Sequence, residues 1–186
     1  MNHKKSLIAA SVTAAMALLA ASAAIPAQDK YTLKVPGGLA FSEFKGYESW
    51  QVINFSENGP AVGVILGNPV MIKAYQTGIP ANGKPVPDGA MMAKIHWQPK
   101  KNVTAPGPPT VAGNQMNVDF MVKDSKRFAD SGGWGWAVFE FDAATETFRP
   151  GDANSKPPQA NDAKCGFACH TIVKTRDYVF TEYAKR

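Results

Sequence analysis

Glycine and proline divide this chain into apolar stretches too short for long packed helices, and that division constrains the fold more than any other feature. The 186 residues include 16 glycines and 14 prolines. They fall in clusters that divide the chain into short elements, among them AMMAKIHW (90–97), MNVDFMV (116–122) and WGWAVFEF (134–141). Short runs rich in Met, Val, Ile, Phe and Trp, closed by Pro/Gly turns, predict β-strands. One stretch reads differently. In NPVMIKAYQTG (68–78) Asn68 suits an N-cap, Pro69 the first helical position and Gly78 the residue past the end, which predicts a helix with Val70, Met71, Ala74 and Tyr75 on its apolar face.

The connecting segments differ in character. Residues 98–115 (QPKKNVTAPGPPTVAGNQ) are rich in Pro and Gly and predict a loop, whereas KDSKRFADSGG (123–133) predicts one or two helical turns around a solvated KDSKRF turn. A polar linker, 149–164, leads to the cysteines. Beyond them Ile172, Val173, Val179, Phe180 and Tyr183 recur at roughly helical spacing, so a C-terminal helix is predicted. This order of elements predicts an α+β domain, mainly an antiparallel sheet with a few helices.

The first 27 residues have a basic start (His3, Lys4, Lys5), an Ala-rich apolar run and small residues before Gln28. That layout predicts a secretory signal peptide cleaved between about residues 23 and 27, hence a periplasmic protein with no membrane insertion. Removing residues 1–27 takes away Lys4 and Lys5 and no acid, which lowers the formal charge from +5 to +3. Residues 28–186 then suit a single domain. The basic balance is no argument for nucleic acid, because no Lys/Arg stripe interleaves with aromatics.

The chemistry concentrates in KCGFACHT (164–171), which holds the only two cysteines, Cys165 and Cys169, and His170 directly after the second. The usual motif for attaching a c-type haem is C-x-x-C-H, and this segment has one residue more. A disulfide would close a very small loop, gain little chain entropy and leave His170 without a role. Zinc would need a fourth ligand that His3 and His96 offer poorly. Haem attachment uses all three residues: two thioethers and an imidazole on the iron. At about 100° per residue, cysteines four apart still share one side of a helix.

The chain resembles the cytochrome P-460 family of exported c-type haem proteins, which includes hydroxylamine-oxidising enzymes and the related cytochromes c′-beta. The resemblance runs from GYESWQVI (46–53) to TRDYVF (175–180) and is carried most specifically by PDGAMMAKIHW (87–97), VDFMVKDSKRFADSGGWGW (118–136) and the terminal Cys-His segment followed by DYVF. It departs from the family in the three residues between Cys165 and Cys169. The resemblance implies haem c with His170 as iron ligand, and Lys94 joined to a meso carbon of the macrocycle. It further implies Asp119 as distal carboxylate, where glutamate is usual, and a homodimer. The activity implied is oxidation of hydroxylamine to nitrogen oxides, with electrons passed to an external acceptor such as a soluble cytochrome c. The alternative, as in the cytochromes c′-beta, is a protein that binds nitric oxide without turnover.

The residues themselves are compatible with these roles. On a strand Met92, Lys94 and His96 share one face while Met91, Ala93, Ile95 and Trp97 share the other. Lys94 is otherwise a solvated edge lysine. Asn117, Asp119 and Met121 likewise share one strand face and Val118, Phe120 and Val122 the other. Asp119 is otherwise a surface acid. Met91, Met92, Met116 or Met121 as a second axial ligand would make an electron carrier, although methionines in strands usually fill a core. His96 is a weaker distal candidate, and Trp134 and Trp136 suit packing or a pocket wall.

Overall fold

The computed structural model describes residues 27–35, 38–151 and 163–186, with side chains in the last segment described from residue 166 onward. The predicted leader, apart from Ala27, therefore lies outside the described residues. Six strands form one antiparallel sheet in sequence order: β1 (Gln51–Asn58), β2 (Ala61–Gly67), β3 (Met91–Lys101), β4 (Thr110–Lys123), β5 (Trp134–Asp142) and β6 (Thr147–Pro150). Helix α1 (Pro69–Gln76) lies between β2 and β3, and α2 (Ala163–His170) follows β6. The predicted α+β architecture is observed. Among the described residues no helix is long and apolar enough to cross a membrane.

Strand alternation divides the core between the two faces of the sheet. On the first face Ala93, Ile95, Val118, Phe120 and Phe139 pack against Phe41, Phe44 and Tyr47, which come from short 3-10 turns preceding β1. Phe44 and Phe120 stack with centroids 4.1 Å apart. The second face carries Ile53, Ile65, Met92, Trp134 and Trp136, covered by α1 and by Tyr178 and Val179 near the C-terminus.

Helix α1 starts as its sequence dictates. The Asn68 side-chain oxygen accepts the Met71 N–H, and Pro69 occupies a position whose missing N–H costs nothing. Its buried face is Met71, Ile72 and Ala74, while Val70 stays 38% exposed. The predicted face is thus rotated toward Ile72, which closes on Gly67 of β2, where a Cβ would stand 3.3 Å from the Ile72 side chain. Asn68 also ties the helix to β3, for its oxygen accepts the Met91 N–H and its amide donates to the Gly89 carbonyl. Asn68→Ala removes a helix cap and both of these bonds, so a loss of about 2 kcal/mol is expected, at the upper end for a cap alone. Chemical denaturation would read it as a lowered midpoint with an unchanged slope.

Three sequence expectations are corrected. Most of the predicted 98–115 loop is strand, because β3 and β4 continue as a ladder through the pairs Pro99/Ala112, Lys100/Val111 and Lys101/Thr110. Pro99 is accommodated beside a register irregularity, where a ladder donor is dispensable. The C-terminal helix is instead a 3-10 stretch, Thr171–Arg176, ended by Asp177 and Tyr178 in left-handed conformation (φ 47° and 62°). From there the chain runs without helix beside β1, with the Ala184 N–H donating to the Ile53 carbonyl. Third, the KDSKRF segment is not uniformly solvated, since Lys123 is 6% exposed.

Candidate functional site

β3 and β4 bring two of the predicted residues directly opposite each other. Lys94 pairs with Asp119 and His96 with Asn117 across the ladder. Alternation sends their neighbours Ala93, Ile95, Val118 and Phe120 into the first core, so these polar side chains belong to the second face. There a cavity of about 330 Å³ opens between the sheet and the C-terminal segment, and Lys94, Asp119, Cys169 and His170 all line it. Met92, Met121, Trp136 and Val179 contribute to its apolar wall. Residues far apart in sequence thus meet at one cavity. Cys165 lies within α2, but its side chain falls outside the described residues.

The carboxylate is held from two sides. Asp119 Oδ2 lies 2.9 Å from His96 Nε2, and Oδ1 accepts from the Asn117 side-chain amide. Its side chain is 39% exposed and that of His96 17%, so the pair connects the cavity to solvent. His96 therefore partners the carboxylate. Its place two residues from Lys94, on the same strand face, is the signal the sequence offers. None of the ion pairs among the described residues includes Lys94, although Asp119 is its register partner.

His170 ends α2 and is fixed in orientation. Its Nδ1–H donates to the Tyr178 carbonyl at 2.6 Å, and its ring packs between Trp136 and Phe180, at centroid distances of 5.4 and 4.9 Å. Burial pushes its pKa below the ordinary histidine value; Lys94 adds to that, while the Tyr178 bond and Asp119 oppose it. The imidazole is therefore neutral at neutral pH, with Nε2 as its remaining donor to a metal. Hydrogen bonding of Nδ1 to a backbone carbonyl is the usual way a metal-binding histidine is oriented.

Two tryptophans separate the packing and wall functions. Trp134 is fully buried within the second core, whereas Trp136 lines the cavity. The Trp136 indole N–H is buried with no partner among the described residues. Helix α2 approaches this ring through Gly166, where a Cβ would come within 2.2 Å of Trp136. An apolar cavity with one oriented neutral imidazole and a thiol on the adjacent residue fits a haem attached at this segment.

In comparison with known proteins, the sequence model of the family described as Cytochrome P460 matches residues 44–181. The matched span contains Lys94, Asp119, Cys165, Cys169 and His170. No curated protein matches the chain.

Proposed function

The chain belongs to the cytochrome P460 family and is a haem cytochrome, and from this premise we propose that it oxidises hydroxylamine to nitrogen oxides. The observation that carries the reading is the placement of Lys94 and Asp119 opposite each other in the β3/β4 ladder, on the wall of the cavity that also receives His170. Haem c, when bound, supplies a redox-active iron with one position for a small ligand. In this reading Cys165 and Cys169 would hold it by thioethers, His170 Nε2 would ligate the iron, and Lys94 would be bonded to the macrocycle. The Lys94 side chain is half-buried and lines the same cavity as His170.

Asp119 is the proton acceptor. Conversion of NH₂OH to NO releases three protons and three electrons, and a carboxylate at the cavity wall takes protons as the nitrogen is oxidised. His96 and Asn117 hold that carboxylate in place, and His96 gives its proton a route outward. The electrons leave to an external acceptor such as a soluble cytochrome c. Export to the periplasm and a homodimer complete the proposal.

The test is the absorption spectrum of the holoprotein, ferric and then reduced, followed by assay with hydroxylamine and an electron acceptor. A Soret band broadened and shifted far to the red on reduction, with turnover, is expected for a macrocycle modified by Lys94. Lys94→Met should restore an ordinary c-type spectrum while haem stays attached. An ordinary high-spin spectrum in the unaltered protein, with no turnover, would overturn the proposal in favour of nitric oxide binding.

A further inference from the structure

The geometry points to Lys123 and Asp177 as positioning residues for His170, setting the strength of its bond to the iron through the Tyr178 carbonyl. The inference rests on the reading that His170 is the iron ligand. It starts from a backbone anomaly, since Asp177 (φ 47°, ψ 46°) and Tyr178 (φ 62°) are consecutive non-glycine residues in the left-handed region. That conformation is costly for a bulky residue such as Tyr178 and persists only where the surroundings enforce it.

Here the enforcing contacts are visible. Both Asp177 carboxylate oxygens lie 2.9 Å from Lys123 Nζ, and Oδ2 also accepts the Val86 N–H at 2.7 Å. Lys123 Nζ donates to the Gly132 carbonyl at 2.9 Å and lies 5.2 Å from the Trp134 ring centroid. The two side chains are only 7% and 13% exposed. Gly132 closes the arrangement, for a Cβ there would stand 2.2 Å from the Tyr178 ring. The result is a connected path: Lys123 at the end of β4, the Asp177 carboxylate, the left-handed turn, the Tyr178 carbonyl and His170 Nδ1.

The turn presents the Tyr178 carbonyl to His170 at 2.6 Å. A short bond from Nδ1–H to a carbonyl makes the imidazole a stronger donor to a metal and favours the ferric state. No role for Lys123 in metal binding is evident from sequence, because its partner lies 54 residues further along the chain. Removing Lys123 alone would leave a buried carboxylate unpaired and could cost the fold.

The informative change is therefore the double variant Lys123→Met/Asp177→Asn. Methionine replaces the lysine stem, and asparagine retains an acceptor for the Val86 N–H and tolerates the left-handed region. The readouts on the holoprotein are the iron–histidine stretching band of the ferrous state, by resonance Raman, and the ferric/ferrous midpoint potential. The expected result is a band at lower frequency and a more positive potential. Phe44→Leu, a core change on the opposite face, should move neither. If the double variant does not fold, Lys123→Arg, which keeps the Asp177 carboxylate paired but displaces it, is read in the same way, with smaller shifts of the same sign. A folded variant with the unaltered band and potential overturns the inference and leaves His170 as ligand. If the unaltered protein shows no band sensitive to ¹⁵N-labelled histidine, the ligand reading fails and the inference fails with it.

Discussion

On the proposed hydroxylamine oxidation, Asp119→Asn is expected to lower turnover by about 10²- to 10⁴-fold, the usual contribution of a positioned general base, while hydroxylamine binding changes little. Asparagine keeps the shape of the side chain and a carbonyl oxygen to accept from Asn117, but it cannot take up a proton. The neighbours argue that the loss will be chemical rather than structural. Asp119 is partly exposed, its partners are the polar side chains of His96 and Asn117, and the apolar residues on either side face the opposite core. The check combines kcat under saturating hydroxylamine with an equilibrium titration that follows the Soret band. Unchanged turnover would remove Asp119 from the mechanism. Unchanged turnover per bound substrate with weakened binding would recast it as a residue that positions hydroxylamine.

Gly166→Ala should destabilise the protein and reduce the amount of haem retained, against the trend for a glycine inside a helix. Intrinsic propensity favours alanine there by about 0.5–1 kcal/mol. Packing opposes it, because a Cβ would stand 2.2 Å from Trp136 Cγ and 2.6 Å from Trp136 Cβ. Trp136 has little room to retreat, being 5% exposed and held in β5 opposite Met121. The helix must move outward instead, taking Cys169 and His170 away from the sheet. Overpacking of this kind costs about 1–3 kcal/mol, so the sign of the change distinguishes the two effects. Denaturation of the holoprotein and haem content per chain measure it. A variant more stable than the parent would show that the contact relaxes without loss.

Much of this arrangement is legible in the sequence because it depends on short-range periodicity. Alternation along MMAKIHW and NVDFMV assigns Lys94 and Asp119 to one face and Ala93, Ile95, Val118 and Phe120 to the other, as the two cores show. Asn68, Pro69 and the apolar spacing after them mark α1. What is not legible depends on distant partners. The β1/β2 hairpin is obscured by a register irregularity between Val52 and Asn54 and by polar residues in QVINFSEN. The C-terminal spacing suggests a helix, but the left-handed turn at Asp177 and Tyr178 is imposed by Lys123 and Gly132, which no local pattern reveals. Lys123 itself resembles a surface lysine until its carboxylate partner is known.

The division of core between the two sides of the sheet has a consequence for how this protein can vary. Neighbouring positions on β3 and β4 answer to separate demands: Ala93, Ile95, Val118 and Phe120 to cohesion of the fold, Lys94 and Asp119, with the His96 and Asn117 side chains that hold Asp119, to the cavity. Point changes can therefore retune the chamber while the other side keeps its packing. A change in strand length is another matter, since a slip of one residue exchanges the two sides. The same pleat that makes the chemistry adjustable by substitution makes these strands intolerant of insertion or deletion.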